Sequence, residues 1–259
     1  MTAQQKLQHR YLTQAHTFVR KPVRMIEILP TNTCPPDLAE LSKRSESFAQ
    51  FSECVQLDIS DGLFTPECSW PYAGEGQWSE LEMLASDPST SPFTQGLKYE
   101  AHLMVEEPGA LGSHLAKAGI TRILGHVEAF ADENEIRVAF DAWRAAGASE
   151  VGLAMLLDTP FPVLEPLIPA CDVVQIMSIP TLGRQGAPFD VRVFARIEEI
   201  HARYPESVLS IDGGVSEKNI AELVRAGARR FGVGSAISKA SDPKAAYEHL
   251  KTIAENALE

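Results

Sequence analysis

The chain has 259 residues, a mass of 28.3 kDa, 44% hydrophobic and 22% charged residues, and a net charge of -12. Such a composition supports a sizeable buried core, and the acidity excludes a phosphate backbone or an anionic membrane as a general partner, since both reward basic surfaces. Four cysteines without a CxxC pair exclude a zinc-finger cluster or a dense disulfide framework. No apolar stretch approaches the ~20 residues that a membrane span needs, and residues 1–23 lack the apolar core of a signal peptide, so the expected location is cytoplasmic.

Residues 1–23 are polar and read as an arm or extra helix ahead of the main unit. From residue 24 to 259, short apolar runs alternate with helical stretches about eight times. The predicted strands are 24–29, 54–59, 98–105, 122–127, 150–155, 173–176, 208–212 and 230–233. Continuous apolar runs of this length suit parallel strands buried on both faces. Among the predicted helices, 37–51 follows Pro35 and Pro36, 132–146 ends at Gly147, 218–226 ends at Gly227, and 243–257 closes the chain. Proline suits a first turn and glycine the left-handed closing residue. Eight β-then-α units predict one α/β domain, a single (β/α)8 TIM barrel with a short N-terminal extension. A doubly wound sheet is disfavoured, because no glycine fingerprint follows the first strand. A long irregular loop, 65–96, follows the second strand and reads equally as a lid or as surface decoration.

In such barrels the functional side chains sit at the C-terminal strand ends. Asp58 and Asp212 fall there, on roughly opposite sides of the expected mouth, and suit a two-base proton transfer at carbon. A carboxylate is too weak a base for this in water, so a metal or a dry pocket is required. His102 lies in the last part of the third strand and is a candidate metal ligand. Gly213–Gly214 and Gly234–Ser235 follow strands seven and eight, where backbone N–H groups of this fold receive phosphate. Cys54 opens an apolar run and reads as a buried thiol rather than a nucleophile.

These residues fall in motifs that resemble the ribulose-phosphate 3-epimerase family. Leu57-Asp58-Ile59-Ser60-Asp61-Gly62 is similar to its first aspartate segment, Ala101-His102-Leu103-Met104-Val105 to its histidine segment, and Gly125-His126-Val127-Glu128-Ala129 to its strand-four motif. Gly152-Leu153-Ala154 with Asp158-Thr159-Pro160, Ile176-Met177-Ser178-Ile179, Ser210-Ile211-Asp212-Gly213-Gly214-Val215 and Gly232-Val233-Gly234-Ser235-Ala236-Ile237 follow in the family's order, over roughly residues 25–257. The resemblance implies metal-dependent 3-epimerisation of a ketose phosphate, of the kind found in pentose phosphate metabolism, through an enediolate. Asp58 and Asp212 would be the acid/base pair and, with His102, the ligands of one divalent ion (Zn, Fe, Mn, Co or Mg). Gln56 and Glu27 are candidate further donors. Met104, Met177 and Glu27 would line the substrate, and Gly183, Gln185, Gly213, Gly214, Gly234 and Ser235 would hold its phosphate, with Arg184 nearby. The expected partner is a small phosphorylated sugar, a homo-oligomer is the candidate assembly, and neither nucleic acid nor membrane is expected.

The chain departs from the family pattern close to this site. Gln56 stands where the family has a histidine ligand, Glu27 aligns with a substrate-contacting serine, and Ser60 replaces a methionine. Arg184 replaces a glycine in a loop one residue short, and the 65–96 loop is about ten residues longer than usual. Two alternatives accompany the epimerase reading: a phosphosugar-acting barrel of aldolase or lyase type, and a non-catalytic phosphosugar-binding protein. Decarboxylation is disfavoured, because Asp58 is not followed by the Asp-x-Lys-x-x-Asp run of the decarboxylating barrels.

Overall fold

The computed structural model describes residues 25–74, 78–183 and 185–258. The predicted arm 1–23 and Arg184 lie outside them. Eight parallel strands, β1 (Glu27–Thr33), β2 (Cys54–Ser60), β3 (Lys98–Met104), β4 (Arg122–His126), β5 (Glu150–Met155), β6 (Val173–Met177), β7 (Val208–Asp212) and β8 (Arg230–Val233), close into a barrel in sequence order, with β1 pairing both β2 and β8. The fold expected from the alternating pattern is the fold observed. Helices α1 (Leu38–Phe48), α2 (Ser79–Ser86), α3 (Pro108–Lys117), α4 (Glu133–Ala146), α5 (Phe161–Leu164), α6 (Val193–Arg203), α7 (Ile220–Ala226), α8 (Ser235–Ser238) and α9 (Pro243–Asn256) occupy the connections and the end of the chain. No helix of the described residues is long and apolar enough to cross a membrane.

Local chemistry sets the helix limits. Asp37, Asp132 and Asp242 stand before α1, α4 and α9, and each side chain accepts from a backbone N–H in the first turn, satisfying a donor the helix itself cannot. Gly147 ends α4 at φ +124°, a conformation that costs a side-chain-bearing residue heavily. The first strand differs from the prediction. It runs to Thr33, because Pro30 does not end it: β1 pairs with β8 from Glu27 to Pro30 and with β2 from Thr31 to Thr33. The residue without an N–H thus sits where the pairing changes sides, so a sequence rule that ends strands at proline fails here.

Strand alternation separates two environments. Val55, Leu57 and Ile59 of β2, Tyr99, Ala101 and Leu103 of β3, and Leu209 and Ile211 of β7 join one apolar cluster with the helices, which includes Trp143 and Leu115. The alternate residues Gln56, Asp58, Glu100, His102, Gln175, Ser210 and Arg230 are buried and polar, and period-two geometry turns them into the barrel. Its floor is ionic. Arg230 donates to Glu27 at 2.6 Å, Glu100 at 2.5 Å and Glu150 at 2.8 Å, and Arg122 pairs with Glu27 at 2.9 Å and Glu150 at 3.1 Å.

The long connection after β2 divides its roles. Near the mouth, Ser60 Oγ lies 2.5 Å from Thr65 Oγ1 and donates to the Glu67 carbonyl at 2.6 Å, while the Ser69 N–H donates to the Ser60 carbonyl at 2.9 Å. Ser60, unusual for the family pattern, therefore fastens this segment by hydroxyl hydrogen bonds. Farther along, Trp70, Leu81, Leu84 and Phe93 join the apolar cluster, and Trp78 meets His114 of α3 edge-on at 5.3 Å. That part clads the outside of the barrel.

Candidate active site

The mouth of the barrel opens into a cleft whose walls include Asp58, Asp212, Met104 and Met177. Met104 and Met177 pack with Leu182 and, at the edge, with Phe64 and Ile179, giving the cleft an apolar wall. Gly183, Gln185, Gly213, Gly214, Gly234 and Ser235 line it as well. Each backbone turn is held in place. Gly213 has φ +108°, and a Cβ there would fall 2.6 Å from Ile179. The Ser178 hydroxyl donates to the Asp212 carbonyl at 3.1 Å and the Gly213 carbonyl at 2.6 Å. Gln185 spans the cleft edge, donating to Thr33 Oγ1 at 3.1 Å and accepting from Ser238 at 3.0 Å.

Glu27 is not here. It stands at the start of β1, beside Arg230 at the start of β8, whereas Thr33 at the far end of β1 is level with Asp58. The alignment of Glu27 with a substrate-contacting residue, and its candidacy as a metal donor, are corrected: its carboxylate belongs to the ionic floor at the opposite end of the barrel. Burial alone would make it a weaker acid, but Arg230 and Arg122 overcome that and hold the carboxyl low. From β1 the cleft is lined instead by Thr31 and Thr33, whose hydroxyls lie 3.1 Å apart. Both lie beyond residue 29, where the predicted first strand ends.

Asp58 and Asp212 do not face each other across an open mouth. β2 and β7 are separated only by β1 and β8, and the two side chains meet at one place. The Gln56 Nε2 group donates to Asp58 Oδ1 at 2.9 Å and to Asp212 Oδ2 at 2.7 Å. His102 Nδ1 lies 3.1 Å from the same Asp58 oxygen and 3.5 Å from the same Asp212 oxygen. Asp212 is pushed up to about 7, by burial first and by the Asp58 charge second. This is the condition of a carboxyl that can hold and release a proton near neutral pH. Gly232 of β8 makes room for the group: a Cβ there would lie 2.9 Å from Gln56 Oε1 and 3.1 Å from Asp212 Cγ.

Beneath the carboxylates runs a string of side chains that the sequence names only as part of a motif. His102 Nε2 and His126 Nε2 are 2.9 Å apart, and His126 Nδ1 lies 3.1 Å from Glu128 Oε2. Phe64 covers His126 with a ring separation of 4.8 Å. Burial would lower His102, but the hydrogen bond and charge of Asp58 outweigh it and raise it; His126 is lowered, chiefly by burial. From Glu128 to Asp58 the string has three contacts, and each needs a positive partner between two lone pairs. Two neutral imidazoles own only two protons, and His102, raised by Asp58, is the ring that can carry a third.

The donor set fits a divalent ion. Ligand atoms of Asp58, His102 and Asp212 all lie within 4.8 Å of one another. His102 Nδ1 lies 3.1 and 3.5 Å from the two carboxylate oxygens, close to the about 2.9–3.4 Å between neighbouring donors around an ion bound at ~2.0–2.1 Å. The buried Gln56 Oε1 has no hydrogen-bond partner, so turning this amide over would present an oxygen donor to the same point. Cys54 takes no part: it is buried among the strands, and burial pushes its thiol up to about 12.

A closed β/α barrel carrying two converging aspartates, a histidine and glycine turns beside one cleft has the layout of a phosphosugar-acting barrel. The sequence comparisons narrow the class. The ribulose-phosphate 3-epimerase family model matches residues 33–238. The ribulose-phosphate 3-epimerase of Aquifex aeolicus is 30% identical over 211 residues, covering 80% of this chain and 87% of the relative. That of Schizosaccharomyces pombe is 29% identical over 229 residues, covering 86% and 92%. The chain belongs to the ribulose-phosphate 3-epimerase family, whose named relatives here are carbohydrate epimerases of the isomerase class. Among solved structures, 3-hexulose-6-phosphate synthase from Salmonella typhimurium superposes with a TM-score of 0.62 at 14% identity, covering 90% of this chain and 100% of that one, a likeness of fold.

Proposed function

We propose that the chain catalyses 3-epimerisation of a ketose phosphate, of the ribulose 5-phosphate/xylulose 5-phosphate type, with Asp58 and Asp212 as the acid/base pair. The observation that carries this reading is the convergence of the two carboxyls on one point. A sugar carbon held against the pair has one carboxyl to take its proton and a second to return one, and inversion follows when the two act on opposite faces. Met104 and Met177 keep water from the carbanionic carbon, which sustains the basicity of a carboxylate. The glycine turns Gly213–Gly214 and Gly234–Ser235 are the proposed phosphate seat, where backbone N–H groups supply donors without net charge.

Asp58, His102 and Asp212 would hold a divalent ion, with Gln56 Oε1 completing the set after its amide turns over. When bound, the ion polarises the substrate carbonyl and makes the adjacent C–H more acidic. With two carboxylates, one imidazole and an amide, the set leans toward harder ions than a site with two histidines does.

Asp→Asn at either position keeps size and removes the base. Turnover is expected to fall at least ~100-fold in both Asp58→Asn and Asp212→Asn, at the lower range of positioned acid/base contributions. One variant should still exchange the substrate C3 hydrogen with deuterated water without net epimerisation. Metal content is measured in each variant. Near wild-type rates in both metal-replete variants would overturn the two-aspartate mechanism.

A further inference from the structure

The geometry points to Glu128 as a positioning residue: acting through His126, it sets the tautomer of His102 so that His102 Nδ1 offers its lone pair to the space between Asp58 and Asp212. The inference rests on the metal reading above for its purpose, but not for its geometry.

Glu128 is itself fixed. The Leu156 N–H donates to its Oε1 at 2.8 Å, and the Thr159 hydroxyl donates to the same oxygen. Its charge is favoured as well: burial works against it, but His126 prevails and the carboxyl is held low. Only Oε2 is left to face His126 Nδ1, at 3.1 Å. An ionised carboxylate accepts and never donates, so the proton of this contact belongs to His126 Nδ1. A neutral His126 then has a bare Nε2. The facing nitrogen, His102 Nε2 at 2.9 Å, must supply the proton of the second contact. His102 Nδ1 is thereby left as the acceptor end of the string, against two carboxylate oxygens at 3.1 and 3.5 Å. Between that nitrogen and the two anionic oxygens sits either an added proton or a bound cation, so this is the end of the string where a metal ion exchanges with a proton. The end of the string that takes an added proton or a cation lies at the aspartates because the opposite end terminates in a carboxylate pinned by two donors. The same logic recurs wherever a second carboxylate fixes the tautomer of a ligating histidine.

The pinning makes the test sharp. In Glu128→Gln the carbonyl oxygen keeps the place that receives the Leu156 N–H and the Thr159 hydroxyl, so the new NH2 faces His126 Nδ1. That amide donates, His126 must carry its proton on Nε2, and His102 must carry its own on Nδ1, which blocks the lone pair aimed at the aspartates. Glu128→Asp keeps an acceptor-only head and should preserve the original pattern.

Histidine side-chain 15N NMR of the wild-type protein and both variants reads the tautomers directly, and a cobalt(II) titration followed by visible absorption reads affinity. The expected pattern is Nδ1–H on His126 and Nε2–H on His102 in wild type and Glu128→Asp, with both reversed in Glu128→Gln. Cobalt(II) affinity should fall ~10–100-fold in Glu128→Gln alone, the range seen when such outer partners are lost. A wild-type His126 protonated only on Nε2 would overturn the inference, with no variant needed. So would a folded Glu128→Gln protein with unaltered tautomers and unaltered cobalt affinity. If wild type takes up no cobalt, it is the metal reading that fails, and the His126 tautomer still decides the role of Glu128.

Discussion

The Gln56 amide and the Asp212 carboxylate meet at 2.7 Å at the centre of the site, while the amide oxygen of Gln56, buried, has no partner. An unsatisfied buried acceptor costs on the order of 1–3 kcal/mol, and a cation at the carboxylates would reward the reversed amide. Replacing it with imidazole restores the donor type usual in the family. Gln56→His should tighten zinc binding at least ~10-fold, since imidazole is the better ligand for that ion, and should narrow the preference for manganese or magnesium. Competitive chelator titrations of both proteins measure this; equal zinc affinities would remove Gln56 from the ligand set.

Gly232 owes its identity to crowding. A methyl group at this position would fall 2.9 Å from Gln56 Oε1 and 3.1 Å from Asp212 Cγ, displacing both by several tenths of an ångström. Gly232→Ala should retain the fold, because the clash is with side chains, and lose turnover by up to ~100-fold, as misplacement of reacting groups does. Circular dichroism together with steady-state kinetics tests this, and a variant of unchanged kcat would show that the carboxyl positions tolerate the shift.

Gly234 reports on the phosphate seat. Its Cβ position lies 2.9 Å from Thr31 Oγ1 and 3.0 Å from Gln185 Nε2. Gly234→Val would force Gln185 away and fill the turn where the anion is proposed to sit. KM should rise at least ~10-fold with a much smaller change in kcat, since the reacting carboxyls are not touched. Normal binding of a ketose phosphate by this variant would place the phosphate elsewhere.

The floor of the barrel gives a pH signature. Glu27 has a folded-state value below its ordinary 4.5, so the stability it contributes is fully present above the unfolded value and is lost as pH falls through the folded one. Glu27→Gln should therefore lower Tm at pH 7, and the gap from wild type should shrink below about pH 4. A gap of constant size from pH 7 to about pH 3 would assign the effect to packing rather than charge.

The barrel was legible because its strands are short apolar runs with clear ends. The predicted limits 150–155, 208–212 and 230–233 coincide with β5, β7 and β8. Asp58, His102 and Asp212 were readable as strand-end residues, and the structure brings them together. What escaped depends on partners that a one-dimensional pattern does not hold. Pro30 stops a strand by rule and not here, because its missing N–H coincides with a change of pairing partner. That single misjudged end inverted Glu27, moving a floor residue to the mouth, and concealed Thr31 and Thr33. His126 and Glu128 stand at the end of strand four, where functional residues are expected, but their roles were not legible, since their contacts cross from β4 to β3 and to the segment after β5.

The guanidinium of Arg230 has a consequence for how the chain is made. Three carboxylates, Glu27, Glu100 and Glu150, gather at the floor from the first, third and fifth strands; among the described residues Arg122 pairs with Glu27 and Glu150, and Arg230 of the eighth strand pairs with all three. A truncated seven-stranded product would have to bury these carboxyls without their main cation, a desolvation that already pushes Glu100 up with Arg230 present, so its floor should close poorly. The final strand acts as the bolt of the assembly. Products ending before it should remain open and susceptible to proteases, which leaves little room for a half-made barrel to persist.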